Sequence, residues 1–273
     1  MSTRFCFLLS LTLSPVAAQE SWDADARRGA AMEHAGRYPQ AENCYRRALT
    51  AVETAEPPAP LELAAALQNL ASLQLLMGRP SQAEPLYRRA YALRAQNLAA
   101  RDPRLGVTLH GLAEALQEQR HYPEAEDLYR HAAAILESAY GAQSLSVADV
   151  WHNWAALYRE TKRDPQARPL LEGAEANYEK GAPLHAKHAI ILRNLAELEA
   201  SSGRISRAQE LFDHSLRICD AALPPDHPQT GVILQAYSRF LQSINRKREA
   251  RLAGQRARAI LGTGYTVDAS AFR

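Results

Sequence analysis

The stretch Gly78 to Ala90, GRPSQAEPLYRRA, is a near-copy of Gly36 to Ala48, GRYPQAENCYRRA, and returns more loosely as RHYPEAEDLYRHA from Arg120 to Ala132. A chain that rewrites one phrase at a fixed period folds as one supersecondary unit stacked on copies of itself, because no single copy can bury its own apolar face. Taking the Ala of each QAE-like step as a marker gives Ala41, Ala83, Ala125, Ala167, Ala208 and Ala250, spaced by 42, 42, 42, 41 and 42 residues. This period constrains the fold more tightly than any other property of the sequence.

Four residues after each marker come Tyr45, Tyr87, Tyr129, Leu171, Phe212 and Gly254, and seven after come Ala48, Ala90, Ala132, Ala174, Ser215 and Ala257. Offsets of four and seven lie on one helical face, small where a neighbouring helix comes close and large where a gap is filled. Twelve residues before each marker stands another small residue, Gly29, Ala71, Ala113, Ala155, Ala196 or Ser238, and from the second copy on a bulky one precedes it: Leu70, Leu112, Trp154, Leu195, Tyr237. Between the two faces sits a breaker such as Gly36, Gly78 or Gly203, followed by polar residues or by Pro39, Pro80, Pro123 and Pro165. That is the grammar of a helix end, a tight turn and a new first helical turn, so each unit is two antiparallel helices. Most units are separated by Pro-containing stretches: EPPAP from Glu56, RDP from Arg101, GAP from Gly181 and PPDHP from Pro224. The break at Tyr140 to Gln143 relies on Gly141 alone.

The predicted organisation is six repeats over about 22–56, 61–102, 104–144, 145–182, 187–224 and 228–262, within a repeat domain spanning 19–262. The terminal units depart from the pattern. Asp25 and Arg28 stand where later copies are apolar, and the last second helix carries Arg246, Lys247, Arg248, Arg251, Arg256 and Arg258. A polar outer face is expected of a unit with no neighbour on one side; the competing reading of the basic run is a patch for an acidic surface, sensitive to salt. The tail 263–273, TGYTVDASAFR, breaks the helical pattern and is not assigned.

The first 18 residues read as a signal peptide: one positive charge at Arg4, an apolar run from Phe5 to Leu13 too short to span a bilayer, and Val16-Ala17-Ala18 before Gln19. The expectation is therefore an exported chain, periplasmic or secreted, with no stable membrane insertion once the leader is removed; the alternative is that the segment stays uncleaved as an N-terminal anchor. Cys6 leaves with it. Cys44 and Cys219 remain four repeats apart, too far to bridge within one chain. The formal charge of the whole chain is +2, which gives no argument for nucleic acid as a partner.

The small, large and small positions along each second helix, with a small residue midway through the first, resemble tetratricopeptide repeats. The unit is longer than the usual one of about 34 residues. With NLA opening the core, as in NLASLQLLMGRPSQAEPLYRRAYAL (Asn69 to Leu93) and NLAELEASSGRISRAQELFDHSLRI (Asn194 to Ile218), it looks like the kinesin-light-chain type. The resemblance covers residues 22 to 261 and implies an all-α, right-handed superhelical solenoid of about six antiparallel helix pairs. HEAT and armadillo repeats share the period and lack the offsets.

The resemblance further implies that first helices line a concave groove holding an extended peptide or a partner's helix. First-helix positions off the packed face supply the candidate peptide-binding residues: Gln68, Asn69 and Ser72; His110 and Glu114; His152, Asn153 and Arg159; Arg193, Asn194 and Glu197; Gln235 and Arg239. Leu75, Gly111, Gln117, Ala156, Ala200, Ala236 and Gln242 complete those rows. Asn recurs at one position, in Asn69, Asn153 and Asn194, and its amide offers both a donor and an acceptor. In kinesin-light-chain-like repeats such an Asn contacts the bound main chain; the alternative is a bond to a neighbouring helix or loop. Arg193 and Arg239 can seat a carboxylate or simply face solvent. A related family clamps the chaperone C-terminus with basic residues beside Asn, but here those positions hold Val107, Gly111, Ile190 and Asn194.

Two further His features have plain readings. His110 and His152 occupy one position in adjacent units and are read as groove-lining polar groups rather than metal ligands; His185 and His188 in HAKH are read as a solvated helix start. Trp151 and Trp154 are expected to fill core, with Trp151 a further candidate for ligand contact. No Gly-rich phosphate loop, HExxH, nucleophile elbow or paired-Cys motif is present. The expected function is a non-catalytic scaffold for a protein or peptide partner, with no catalytic residue, metal or cofactor. The competing expectation is a structural assembly module whose groove is idle, and a third, weaker one is an enzyme or metal binder on His110 and His152. The oligomeric state is left open.

Overall fold

The computed structural model describes residues 15–262, with side chains from Trp22 onward. Most of the segment read as a signal peptide and all of the tail 263–273 lie outside the described residues. Twelve helices follow in chain order: α1 (Pro15–His34), α2 (Tyr38–Glu53), α3 (Pro60–Leu76), α4 (Pro80–Asn97), α5 (Pro103–Glu118), α6 (Tyr122–Tyr140), α7 (Leu145–Glu160), α8 (Asp164–Gly181), α9 (Ala186–Ser201), α10 (Ile205–Ala222), α11 (Pro228–Ser243) and α12 (Lys247–Leu261). Odd-numbered helices are the first of a pair and even-numbered ones the second. Among the described residues there is no strand, so the fold is an all-α repeat. No helix among them is long and apolar enough to cross a membrane.

The chain divides into two compact units, residues 1–100 with α1 to α4 and residues 101–273 with α5 to α12. In both, each pair packs tightly within itself, and its second helix packs on the first helix of the next. The marker residues carry this packing: Ala41, Ala83, Ala125, Ala167, Ala208 and Ala250 are all buried, as are Tyr45, Tyr87, Tyr129, Leu171 and Phe212 four residues on. In the first unit Ala41 and Tyr45 meet Leu70 and Leu73. In the second, the Phe212 ring lies 5.3 Å from those of Tyr237 and Phe240. Burying one such side chain stabilises by roughly 1.5–3 kcal/mol.

Every first helix closes in the same way. At the end of α3 the N–H of Arg79 donates to the carbonyl of Gln74 and that of Gly78 to Leu75, both at 2.9 Å, a Schellman closure that places Gly78 at φ +68°. Gly36 and Gly203 take this left-handed position at φ +68° and +77°, where glycine has no Cβ to clash. In the other three pairs the same position is held by Arg120, Lys162 and Asn245 at φ 65°, 60° and 64°. These copies lack the breaker glycine yet make the turn, because the same closing bonds enforce it.

The repeated Arg after this turn has a second use. Arg79 and Arg163 are N-cap residues whose side chains make no capping bond, since a guanidinium has no acceptor to offer the first N–H groups of α4 and α8. Their guanidinium groups reach back one repeat: Arg79 Nη1 donates to Glu42 Oε2 at 3.1 Å, and Arg163 Nη1 to Glu126 Oε2 at 2.6 Å. Arg246 Nη1 donates likewise to Gln209 Oε1 at 2.8 Å. Each acceptor directly follows a marker Ala. Bonding from Arg46 holds the Glu42 carboxyl below the usual carboxylate range, and bonding from Arg163 does so for Glu126. Between the fourth and fifth pairs the charges are exchanged: Arg168 stands after the marker, and both it and Arg204 donate to Glu199, which is 3% exposed.

Candidate functional site

The candidate residues of the first unit lie on α3. Asn69 is half-buried, and Ser72 is exposed with its hydroxyl 2.9 Å from that of Tyr87. Gln68, expected to face a ligand, instead accepts a hydrogen bond from the buried Arg94 of α4. It therefore ties a pair together.

In the second unit the first helices α5, α7, α9 and α11 are linked by a polar ladder. Asn153 of α7 donates its amide to His110 Nε2 at 2.9 Å and also to Glu114, both on α5. One repeat later the contact recurs, with Asn194 of α9 donating to His152 Nε2 at 2.7 Å. The Asn194 carbonyl in turn accepts from Arg193 Nη2 at 2.7 Å. A parallel rung runs through charges: Arg159 Nη1 is 3.2 Å from one oxygen of Glu197, and Arg239 Nη2 of α11 is 3.6 Å from the other.

This placement corrects the expected exposure at several positions. His152 and Asn194 were expected on the open face; they are 1% and 7% exposed and bond to each other. Gln117 was expected on that row too. It is buried, where it accepts from the Tyr129 hydroxyl at 2.8 Å and donates to Glu160 at 3.0 Å. Gly111 and Ala236 are also buried. For His152, Asn194 and Gln117 the reason is that a polar side chain one notch around its helix bonds to a neighbouring helix and not to solvent. Gln235 and Arg239 are exposed, and His110, Glu114, Asn153, Arg159, Arg193 and Glu197 are half-buried. Trp151 packs its ring against α8, where a Cβ on Gly173 would lie 2.7 Å from it.

The electrostatics follow from the burial. Enclosure, together with the charges of Lys187 and Arg193, pushes His152 down from its ordinary pKa to about 3, so the ring is neutral at physiological pH with its Nε2 lone pair accepting from Asn194. His110 and His152 do not converge on a common point; each is occupied by a different Asn.

His188 needs the largest correction. Its partner in HAKH, His185, is the N-cap of α9 and accepts from the Lys187 N–H at 3.1 Å, at an exposed helix start. His188, one turn on, is fully buried against the stacked ring of Tyr178. Its Nε2 faces Glu179 and Glu175 of α8. The spacing E-x3-E followed by His was visible in EGAEANYEKGAPLHAKH, but only the α8–α9 packing brings these residues together.

Cys44 and Cys219 are both free and buried. At the end of the second unit, Lys247, Arg251 and Arg258 of α12 line a cleft of about 390 Å³ with Ser238 and Gln242 of α11. Other members of the basic run are paired, Arg246 with Glu249 and Arg256 with Asp220 at 2.7 Å.

Helix pairs repeated at this period and tied by inter-repeat ladders define a helical-repeat interaction scaffold. Residues 23–96, 104–180 and 187–262 match the tetratricopeptide repeat profile, and the chain belongs to the tetratricopeptide repeat family. Among solved structures it is similar to BtubC (BKLC) from P. vanneervenii, with 23% identity and a TM-score of 0.63 over 76% of this chain and 90% of that one. It is also similar to a Podosopora anserina protein of kinesin-light-chain type with nearly identical TPR-like repeats, at 24% identity and a TM-score of 0.62 over 74% of this chain and 96% of that one. A Rap protein complexed with Competence and Sporulation Factor shares 13% identity and a TM-score of 0.70 over 91% of this chain and 76% of that one. At such identities the likeness shows the fold. No curated protein matches the sequence.

Proposed function

We propose that the second unit holds an extended peptide segment of a partner protein along α5, α7, α9 and α11. The observation that carries this reading is the ladder itself. Its buried and half-buried rungs fix the first helices in register, and the exposed Arg239 and Gln235 stand at its α11 end. A peptide bound there has its main-chain groups met by side chains already held in place, which lowers the ordering cost of binding. Arg239, with 67% of its side chain exposed, can donate to a peptide carboxylate while Glu197 keeps it oriented. Solved neighbours of the same fold include a Rap protein in complex with a factor and a Rap regulator in complex with the Phr* peptide, which supports a peptide as the kind of ligand. His152 and Asn194 then act as positioning residues behind the face. The reading of residues 1–18 as a signal peptide favours an exported location for this activity; intact mass of the chain recovered from cells, beginning at Gln19, tests that part.

The binding test is selection of a displayed random-peptide library on the purified chain, followed by titration of one labelled selected peptide. Affinity near micromolar, about -8 kcal/mol, is expected. Replacing Arg159, Gln235 and Arg239 together by Ala should weaken it at least about tenfold with the helical spectrum unchanged. Failure to enrich any peptide, or an unaltered affinity in the triple variant, rejects the groove.

A further inference from the structure

We infer that Glu175 and Glu179 of α8, His188 of α9 and His214 of α10 form a site for one divalent transition-metal ion of the Zn²⁺ kind. Ligand atoms of Glu175, Glu179 and His188 lie within 4.8 Å of one another. Glu179 Oε2 is 3.8 Å from His188 Nε2 and 3.9 Å from His214 Nε2, and the two imidazole rings meet edge to face at 5.5 Å. Three ligand-type side chains from two helices thus converge, and His214 of α10 stands beside them at Glu179.

The state of His188 carries the argument. Its Nδ1 lies 2.9 Å from the carbonyl oxygen of Pro183, an acceptor only, so Nδ1 bears the proton and Nε2 the lone pair. That Nε2 is buried and has no hydrogen-bond partner. An N–H bonded to a backbone carbonyl behind the ring is also how a protein orients a metal-binding imidazole. Two carboxylates facing the buried Nε2 lone pair of His188 repel without a cation between them. The cations nearby sit outside the cluster: Arg207 pairs with Glu210 at 3.2 Å, and Arg217 is exposed on α10.

The donor set selects the metal. Imidazole with carboxylate suits Zn²⁺ and its first-row neighbours, whereas Ca²⁺ and Mg²⁺ take oxygen ligands. Bonds of about 2.0–2.1 Å in a tetrahedron place ligand atoms about 3.3 Å apart, so closing the site from separations of up to 4.8 Å requires inward shifts of up to about 1 Å. The half-exposed side chains of Glu179 and His214 can supply them. A bound ion would clip α8, α9 and α10 together across the junction of the fourth and fifth pairs, in addition to the Glu199 clasp at the other end of α9.

The test uses the full chain, stripped with a chelator and dialysed, then titrated with Zn²⁺ against a colorimetric chelator and with Co²⁺ by visible absorption. One ion per chain at roughly micromolar affinity or tighter is expected, with a Co²⁺ spectrum of tetrahedral N/O type and a raised thermal midpoint. Glu179→Gln and His214→Gln, both at accessible positions, should each weaken binding at least about tenfold and leave helicity intact, while His131→Gln on exposed α6 leaves it unchanged. Absence of binding, binding indifferent to either cluster variant, or equal loss in His131→Gln overturns the site.

Discussion

At the scale of single residues, the left-handed turn between paired helices separates what a glycine does from what its surroundings impose. Lys162 holds φ 60° at a position where Gly78 and Gly36 sit at +68°. A Cβ in that region costs about 1–2 kcal/mol, partly offset by the extra freedom glycine has when unfolded. Lys162→Gly is therefore expected to raise stability by roughly 0.5–1 kcal/mol and Gly78→Ala to lower it by about 1 kcal/mol, read as shifts in the urea midpoint at constant slope. His152 makes a second prediction. Its folded pKa, depressed by burial to about 3, lies below the ordinary 6.5, so its contribution is complete above about pH 6.5 and drains away as pH falls toward 3. Urea melts between pH 7 and pH 5 should show stability falling with acidification by up to about 1.4 kcal/mol per pH unit from this ring, and His152→Gln should flatten that part of the slope. An identical slope in both proteins would show the ring is not kept neutral. Neither the burial of His152 nor its Asn194 partner was legible in the sequence, because a polar residue beside a helix's packed face looks the same whether its neighbour is water or the next helix.

At the scale of elements, the phrase that repeats encodes two kinds of contact. Its Ala, large and Ala positions were legible from spacing alone, since a helix fixes which side chains share a face. Its Arg and Glu carry no such signal from spacing within a helix, yet Arg79 to Glu42 and Arg163 to Glu126 are clasps between neighbouring repeats. The most enclosed version is Glu199, buried and gripped by Arg168 and Arg204. Glu199→Ala leaves a void and two guanidinium groups without their acid, and should cost about 2–4 kcal/mol, whereas Glu199→Gln, which keeps the volume and one acceptor, should cost less. Thermal denaturation of the two variants decides this; equal and small losses would make the clasp a surface pair. Helix contact also explains Gly106, where a Cβ would sit 2.9 Å from Leu136 Cγ and 3.2 Å from the Ala132 carbonyl oxygen. Gly106→Ala should destabilise despite the better helix propensity of Ala, by about 1 kcal/mol or more.

At the scale of the whole molecule, stability is shared along each run of pairs because every helix borrows its neighbour's apolar face. In the second unit Phe212 is fully buried between α10 and α11, in ring contact with Tyr237 and Phe240. Phe212→Ala should cost about 3–5 kcal/mol. Hydrogen exchange should show the loss spreading to α9, α11 and α12 rather than staying in α10, and protection lost in α10 alone would mean the pairs open independently. The terminal helix α12 behaves as a cap should, with Ala250, Ala257 and Leu261 buried and its basic residues toward solvent or in ion pairs.

The sequence by itself determined the class of fold, the pairing of helices and most of the core, because all three depend on local periodicity: 3.6 residues per turn within a helix and 42 residues between copies. What only the tertiary structure decided was the fate of the polar residues. Asn153 and Asn194 donate to the preceding first helix, His188 turns inward beneath Glu175 and Glu179, and Arg239 stays exposed. Apolar side chains are sorted by a period that each helix carries within itself; the partner of a polar side chain is set by the distance and rotation between helices, and those arise only when the pairs are packed together.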